Sequence, residues 1–491
     1  MSYAELQGFK QVKGFMSSKL HFITSNSGYY GKTVTVTDSD GNTVATGTVS
    51  NSGVCDIFTD VCGTLTATVQ GNSSGVEFKV TSYATYTIPL QLIYGFKIAK
   101  SDSAPGSRVT TPIAGCDNEN FSSAYMNFST GVFNYGDWED AFFMPRPCML
   151  KSNGTVDYYL DPDDYTKKED GVTDSDVANT SYDGNAMMEF PKVYLYTYED
   201  SNYEYHYISN TKVDSNYKCY AHLDQTGKEI SYCYMPIYNG SLISNKLRSL
   251  SGQALMKSQT AANEITYAQA NGSLWYTELL CDRLLVNELL TLIGMSTNTQ
   301  AVFGEGAHTS GTEAINNTFV TGVHNTKGLF FGTNTGTVGS SSFNNCVKVF
   351  GMENWWGLQW RRIGGWINAS GTQKIKLTYS TADGSTVSGY NTDGSGYVTV
   401  ASATPAGTSG GYISACKTVG YGRIPYQASG SETTYECDGL WFNNSQVDYA
   451  LVGGASHDGA KVGAFFSSLS LLASHADWAL GAALSCKPNA A

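Results

Sequence analysis

The sequence has no apolar run long enough to cross a membrane, and its first residues, MSYAELQGFKQVKG, lack the apolar core of a secretion signal. We therefore expect a soluble chain with no membrane insertion, which stays in the cell that makes it or leaves without a cleaved signal. Charged residues are also scarce, at 15%, and the net charge is −13. Because binding to a phosphate backbone needs clustered Lys and Arg, nucleic acid is not an expected partner.

A disulfide framework is missing as well. The eleven cysteines are an odd number and follow no repeating spacing, and no CxxC pair or Cys/His cluster indicates zinc. We expect most of them to act as small buried hydrophobic residues. Cys55 and Cys62 either face each other across a turn or remain unpaired.

The residues that are abundant favour strands, turns and aromatic surface. The chain has 52 Gly and 33 Tyr among 491 residues, and Ser, Thr and Asn are frequent. This composition predicts a β-rich α+β protein, and the length suggests two to four domains.

Residues 19–92 predict a compact β unit that follows an N-terminal attachment segment, residues 1–18. The stretch KTVTVTDSDGNTVATGTV alternates Val and Thr, turns at Asp40-Gly41-Asn42 and resumes its alternation, which indicates a hairpin. Further alternating runs follow, so we expect an immunoglobulin-like β-sandwich that serves as a spacer or docking module.

The remaining residues, 93–491, predict one large irregular domain. Strands are expected at 154–160, 190–198 and 203–209, and helices at 259–270 and 274–293, where apolar residues recur at helical spacing. Gly294 is the expected stop of the second helix. The tryptophans of the run VFGMENWWGLQWRRIGGW are too many for one strand face, so we expect them to fill a core from several directions.

Three motifs contain residue types that can carry catalytic or metal-binding chemistry. GTSGG (407–411) resembles the nucleophile turn of serine proteases but has no recognisable His partner, so a Gly-rich turn is favoured. The acidic run 161–176 lacks the order of a calcium-binding EF-hand loop, so a solvated loop is favoured. A third hypothesis is a metal site formed by four residues of the C-terminal stretch, His457, Asp458, His475 and Asp477. The metal content is left open, and no cofactor is expected.

The stretch from Gly453 to Cys486 combines a regular frame with residues that follow no period. The expected scaffold comprises Gly453, Gly454, Gly463, Phe465, Trp478 and Gly481, with Leu484 as a further anchor and Trp355, Trp356 and Trp360 beneath. A Gly/Ser/Ala-rich β meander with no binding role would show similar irregularity. Because a wrong residue in a packed core costs about 1–3 kcal/mol, arbitrary residues are tolerated only on exposed backbone.

The run from Ser409 to Cys486, together with MENWWGLQWRR (352–362), resembles the C-type-lectin-fold variable proteins of diversity-generating retroelements. Phage and prophage tail proteins of the major tropism determinant kind belong to this family. Upstream strings such as YMNFSTGVFNYGDWEDAFFMPRPCML extend the likeness over about residues 94–488. The resemblance implies a C-type-lectin-like (formylglycine-generating-enzyme-like) domain at 93–491, a variable binding region at 453–486, and no catalytic residues.

In that family, an error-prone reverse transcriptase rewrites adenines, chiefly in Asn codons. The residues reachable from such codons define the implied ligand-binding set, which is Ala455, Ser456, His457, Asp458, Ala460, Val462, Ser467, Ser468, Ser470, Leu471, Leu472, His475, Ala476, Asp477, Ala479 and Leu480. Lys461 is not reachable, so it is either fixed or encoded differently. His, Asp, Leu and the neighbouring Phe466 are the expected energetic contacts.

The resemblance also implies the partners. They are a bacterial cell-surface receptor, either protein or glycan, and other tail proteins contacted through the N-terminal region. We expect a homotrimer in the virion tail, made in the host cytoplasm. One alternative is a formylglycine-generating-type oxidase, although its paired copper-binding cysteines are absent around Cys486. Another is a diversified bacterial surface protein. The sugar-binding motifs of calcium-dependent animal lectins do not occur.

Overall fold

The computed structural model describes residues 17–24, 29–71, 75–110, 113, 116–339, 343–377, 396–401 and 410–490. Strands predominate within these ranges and helices are few, so the chain belongs to a β-rich α+β class, as the composition predicts. Almost all of the predicted attachment segment, 1–18, lies outside the described residues.

The N-terminal strands form two sheets around one apolar core. They are β1 (Ser18–Ile23), β2 (Thr33–Thr37), β3 (Thr43–Thr48), β4 (Val54–Thr59), β5 (Gly63–Val69), β6 (Gly75–Val80) and β7 (Thr85–Pro89). One sheet has the order β4-β1-β7, with β1 and β7 parallel, and the other has the order β3-β2-β5-β6. Both sheets contribute buried side chains to one cluster.

The predicted hairpin is confirmed as β2 and β3. Val34 and Val36 are buried on the inner face of β2, as the alternation predicts. In the turn, the Asp38 carboxylate accepts hydrogen bonds from the backbone N–H groups of Asp40 (3.0 Å) and Asn42 (2.8 Å). Gly41 adopts a φ of 81°, which a residue with a side chain rarely does.

The rest of the chain is built on three larger sheets. The first has the order β15-β16-β8-β9. Its strands are β8 (Ile93–Ala99), β9 (Val109–Thr110), β15 (Tyr194–Glu199) and β16 (Tyr203–Ser209). The second has the order β13-β12-β14-β17-β33-β20. Its strands are β12 (Arg146–Lys151), β13 (Val156–Tyr159), β14 (Gly184–Pro191), β17 (Tyr232–Pro236), β20 (Trp275–Thr277) and β33 (Leu484–Cys486).

The third sheet carries most of the C-terminal stretch. It has the order β25-β24-β23-β30-β31-β29-β26, and β32 pairs with β23. Its strands are β23 (Trp360–Ala369), β24 (Thr372–Ile375), β25 (Val398–Ala401), β26 (Gly411–Tyr412), β29 (Gly439–Phe442), β30 (Val447–Val452), β31 (Ser467–Leu469) and β32 (Leu480–Gly481). Separate two-stranded pairs are β10 (Tyr125–Asn127) with β11 (Val132–Asn134), β18 (Ser241–Ile243) with β19 (Lys246–Arg248), β21 (Lys348–Val349) with β22 (Met352–Glu353), and β27 (Ala415–Thr418) with β28 (Arg423–Gln427).

The described helices are α1 (Pro105–Arg108), α2 (Ala261–Gln269), α3 (Leu280–Gly294), α4 (Thr299–Phe303) and α5 (Glu313–Thr318). The helix predicted at 274–293 is wrong at its start, because residues Trp275–Thr277 pair with β33 as the edge strand β20. At its other end, Gly294 is still helical, and Met295 ends α3 with a left-handed φ of 48°. The strand predicted at 190–198 is two strands.

Helix α3 is buried on every side, which the amphipathic pattern did not predict. Two of its polar residues form hydrogen bonds with distant parts of the protein. Asn287 accepts a hydrogen bond from Trp355 Nε1 at 3.0 Å and donates one to the carbonyl oxygen of Ala464 at 2.7 Å. Arg283 donates to the same Ala464 oxygen at 3.0 Å. The helix therefore holds the tryptophan cluster and the C-terminal stretch together.

Candidate functional site

The predicted scaffold of the C-terminal stretch is buried. Eight of its nine members are in the interior, and Trp478 is partly buried. The members are Trp355, Trp356, Trp360, Gly453, Gly454, Gly463, Phe465, Trp478 and Gly481. The anchor Leu484 is also buried. The expected core of tryptophans is therefore confirmed.

Gly463 shows why this frame requires glycine. A Cβ atom at this position would lie 1.9 Å from Oδ1 of the buried Asp438. The other oxygen of that carboxylate accepts a hydrogen bond from the Phe465 backbone N–H at 2.8 Å. Any side chain at residue 463 would displace the carboxylate that fixes the turn before β31.

The expectation that the ligand-binding set points outward is wrong for seven of its sixteen members. These are the buried residues Ala455, Ser456, Val462, Ser467, Ser468, Ala479 and Leu480. Phe466, expected as a contact, is also fully buried. Strand pairing is the physical reason for Ser467 and Ser468, because β31 lies between β29 and β30. Whether a rewritten Asn codon can encode a residue does not predict whether strand pairing buries that residue.

Ser456 and Leu480 are buried by neighbours that are distant in sequence. Ser456 Oγ donates to Asn316 Oδ1 at 2.9 Å, and its side chain lies so close to Gly311 that a Cβ there would be 2.2 Å from Ser456 Oγ. Leu480 pairs with Trp360 across β32 and β23. Ser456 and Leu480 therefore pack in the interior, like the scaffold residues, and do not form part of an outward surface.

The other nine members lie in two loops, 457–461 and 470–478. They are His457, Asp458, Ala460, Ser470, Leu471, Leu472, His475, Ala476 and Asp477. His457, Ala460, Leu472, His475 and Ala476 are exposed, and the others are partly buried. Two of the partly buried residues also hold the backbone: Asp458 accepts from the Ala455 N–H at 2.7 Å, and Asp477 accepts from the Ala479 N–H at 2.9 Å.

Loop 470–478 is held from beneath by one buried ion pair. Nε of Arg362 lies 2.8 Å from Oε2 of Glu264, and both side chains are fully buried. The Arg362 guanidinium also donates to the backbone carbonyl oxygens of His475 at 2.8 Å and Leu472 at 3.5 Å. Burial raises the pKa of Glu264 to about 7, against the opposing effect of Arg362. This anchor binds main-chain oxygens, so it does not depend on the side chains that the loop carries.

The residues around helix α2 hold the same loop. The Ala261 N–H donates to the Ala473 oxygen, and the Ser258 N–H donates to the Asp477 oxygen, each at 2.9 Å. Ala261 is the first residue of α2, where backbone N–H groups have no partner within the helix. Four backbone carbonyl groups of one short loop are thus bound by groups outside it.

Loop 457–461 is held in a similar way. Gln300 Nε2 donates to the Ala460 oxygen at 3.1 Å and also to the Val462 oxygen. The Gly459 N–H donates to the His308 oxygen at 3.0 Å. Lys461, the residue outside the reachable set, lies with Nζ 5.1 Å from the ring centre of Tyr412, a cation–π contact that suits a fixed position.

The two loops contact each other through aromatic rings. The rings of His457 and Trp478 are 5.0 Å apart between centroids, so the frame residue Trp478 contacts a member of the predicted set. A shallow cavity of about 410 Å³ lies against loop 470–478, lined in part by Gln446, Leu472 and His475. Ser474 also lines it and is exposed. Ser474 is absent from the implied ligand-binding set, although it stands between members of that set and serine is itself reachable from an Asn codon.

The metal hypothesis for His457, Asp458, His475 and Asp477 is not supported by their placement. Within the ranges that the structure describes, no three or more His, Cys, Asp or Glu side chains are grouped so that they could hold a metal ion. His457 Nε2 and Asp458 Oδ1 are 3.9 Å apart. In the acidic run 161–176, carboxylates are engaged locally; for example, Asp170 accepts from Thr173 and Val172. Most of GTSGG lies outside the described residues.

The described cysteines form no disulfide framework, as their spacing predicts. Ten are in the interior, Cys62 is exposed, and none forms a disulfide. Cys55 and Cys62 therefore do not bridge. Cys486 is fully buried in β33, and burial raises the pKa of its thiol well above the ordinary value.

Across the described ranges, no helix has the length and apolar character needed to cross a lipid bilayer. No protein-family model matches the chain, and a search of curated proteins finds no match.

Proposed function

We propose that this chain is a binding protein whose contact surface is formed by loops 457–461 and 470–478. The observation that carries the proposal is the anchoring of loop 470–478 through its carbonyl groups. Arg362 holds the oxygens of Leu472 and His475 from inside the protein, while the side chains of both residues are exposed. A loop built in this way keeps its shape when its outward side chains change.

The finer proposal follows the sequence resemblance. The chain is a retroelement-diversified variable protein with a C-type-lectin-like domain and an N-terminal immunoglobulin-like sandwich, and it acts as a phage tail receptor-binding protein. The implied ligand-binding set supports this proposal in part, because nine of its sixteen members lie in the two anchored loops. The receptor is a protein or glycan of the bacterial surface.

The size of the loops favours several copies. A stable interface uses about 20–30 residues a side, which is more than the two loops contain. One copy is therefore expected to bind weakly, whereas simultaneous binding by linked copies raises affinity by a factor of about 10²–10⁴. We accordingly propose a homotrimer, which sedimentation equilibrium of the full chain would test.

Tolerance of the loop is tested with a library of the full chain that randomises Leu472, Ser474, His475 and Ala476. Variants are displayed on yeast and sorted for resistance to protease. We expect most members to keep the resistance of the parent chain, because the anchors of this loop are main-chain oxygens.

The matched control library randomises Ser456, Ser467, Ser468 and Leu480, which belong to the same implied set but are buried. Most of its members should lose resistance, because errors in a packed core cost about 1–3 kcal/mol each against a total stability of about 5–15 kcal/mol. Equal survival of the two libraries would refute the proposal.

Diversification by a retroelement and the phage origin are tested by sequencing the gene and its neighbours. Sequencing the same locus from sibling phage should show changes concentrated at outward positions of the two loops, and changes spread evenly along the domain would contradict diversification. Tail-assembly genes beside this gene would favour the phage assignment over a diversified bacterial surface protein.

A further inference from the structure

Five tyrosines share the outward face of strands β15 and β16. They are Tyr196 and Tyr198 on β15 and Tyr203, Tyr205 and Tyr207 on β16. The residues that alternate with them on β16, Glu204 and His206, are buried, whereas all five tyrosines reach solvent and Tyr198 is 38% exposed. Successive side chains of a strand point to opposite faces, so the tyrosines form one surface, which we call the tyrosine row.

Tyr198 and Tyr205 form the closest stacked pair of tyrosines among the described residues. The two lie directly opposite each other in the antiparallel register of β15 and β16. Their ring centroids are 4.7 Å apart and their ring planes differ by 10°. The other stacked contacts within the tyrosine row have centroid separations of 5.3, 6.0 and 6.3 Å. The faces of the Tyr198 and Tyr205 rings are therefore in contact.

The surroundings of this pair suit the removal of electrons and protons from it. The Tyr205 hydroxyl donates a hydrogen bond to Oδ2 of the exposed Asp200 at 3.1 Å, so an acceptor for the phenolic proton is in place. The ring of Tyr196 lies 5.3 Å from that of Tyr198, and the ring of Tyr203 lies 6.0 Å from that of Tyr205. A radical formed elsewhere in the tyrosine row can therefore pass to the stacked pair.

We propose that Tyr198 and Tyr205 are a site of oxidative cross-linking, where a dityrosine bond joins β15 to β16. The co-reactant is a one-electron oxidant, such as the activated haem of a peroxidase, and two equivalents are each reduced by one electron. Tyr205 releases its phenolic proton to Asp200 and Tyr198 releases its own to water. The two phenoxyl radicals form a carbon–carbon bond between ring carbons ortho to their oxygens. The two ortho hydrogens then move as protons to those oxygens, which restores both phenols.

Another close pair of tyrosines lacks these features. The ring centroids of Tyr220 and Tyr421 are 5.2 Å apart, but the ring planes differ by 64° and Tyr421 is fully buried. The ring faces do not overlap, and an oxidant in solution cannot reach Tyr421. The combination of parallel rings, solvent access and a proton acceptor therefore selects Tyr198 and Tyr205.

The test is photo-oxidation of the dilute full chain with tris(bipyridyl)ruthenium and persulfate, which together supply a one-electron oxidant. We expect dityrosine fluorescence in the monomer. Proteolysis after Glu199 and Glu204 separates the two tyrosines, so the link should join the peptide that ends at Glu199 to the one that begins at Tyr205. Mass spectrometry should find this product lighter than the two peptides together by two hydrogen atoms. Absence of dityrosine, or a link between other tyrosines or between two chains, overturns the proposal.

Phenylalanine variants identify the reacting residues without removing the stacked rings. Tyr198→Phe and Tyr205→Phe each lack one of the two phenols, so each should abolish the linked peptides. Tyr125→Phe removes a tyrosine that is 44% exposed and lies outside the tyrosine row, so it is the matched control and should leave the yield unchanged. Equal dityrosine yield from Tyr198→Phe and the parent chain would refute the assignment. All three side chains reach solvent, so these variants are expected to fold.

Discussion

Two leucines of the implied contact set provide the sharpest test of the revised surface. Leu472 is 44% exposed in loop 470–478, whereas Leu480 is 2% exposed in β32. Truncating a buried leucine to alanine costs about 2–5 kcal/mol, since the lost burial is accompanied by a cavity. Full burial of a leucine contributes only about 1.5–3 kcal/mol. About half of the Leu472 side chain is already in water, so Leu472→Ala should cost about 1 kcal/mol or less.

Urea denaturation followed by tryptophan fluorescence measures this difference. All eight tryptophans lie after residue 92, so the signal reports on residues 93–491 and not on the N-terminal sheets. With an m-value of about 3 kcal/mol per M urea, Leu480→Ala should lower the midpoint by about 1 M and Leu472→Ala by at most about 0.3 M. Equal shifts for the two variants would refute the division into scaffold and contact positions.

Three further predictions concern the scaffold. Gly463→Ala should lower the free energy of unfolding by about 1–3 kcal/mol in the same assay, because its Cβ would clash with the Asp438 carboxylate. Arg362→Met should cost about 3–5 kcal/mol by leaving Glu264 buried without its partner, and adding Glu264→Leu should restore part of the loss; no recovery in the double variant would contradict this account. Burial raises the pKa of Asp448 from 3.8 to about 6, so its contribution to stability is full below about pH 4 and is lost as pH rises through 6. Urea midpoints measured from pH 4 to 7 should therefore fall less steeply for Asp448→Asn than for the parent chain.

The elements that the sequence predicts correctly are those determined by neighbours along the chain. The hairpin of β2 and β3 follows from alternation and a Gly-containing turn, and the strand predicted at 203–209 coincides with β16. The buried position of Trp355 and Trp356 follows from their size and crowding. Each of these features depends on residues that are close together in the sequence.

The features that the sequence did not predict depend on distant partners. Residues Trp275–Thr277 have helical spacing with their neighbours, but pairing with β33 makes them a strand. Ser467 and Ser468 are small and polar, yet their place between two strands buries them. The buried ion pair of Arg108 with Glu436 joins residues 328 positions apart. No local sequence pattern predicts such contacts between distant residues.

The guanidinium of Arg362 also constrains how this protein can evolve. Its two main-chain acceptors, the carbonyl oxygens of Leu472 and His475, are three residues apart, and the Ala473 and Asp477 oxygens are fixed by other donors. Exchanging side chains leaves this spacing intact, but an inserted or deleted residue moves the carbonyl groups out of reach of their donors. We therefore expect loop 470–478 to tolerate changes of its outward side chains but not changes of its length.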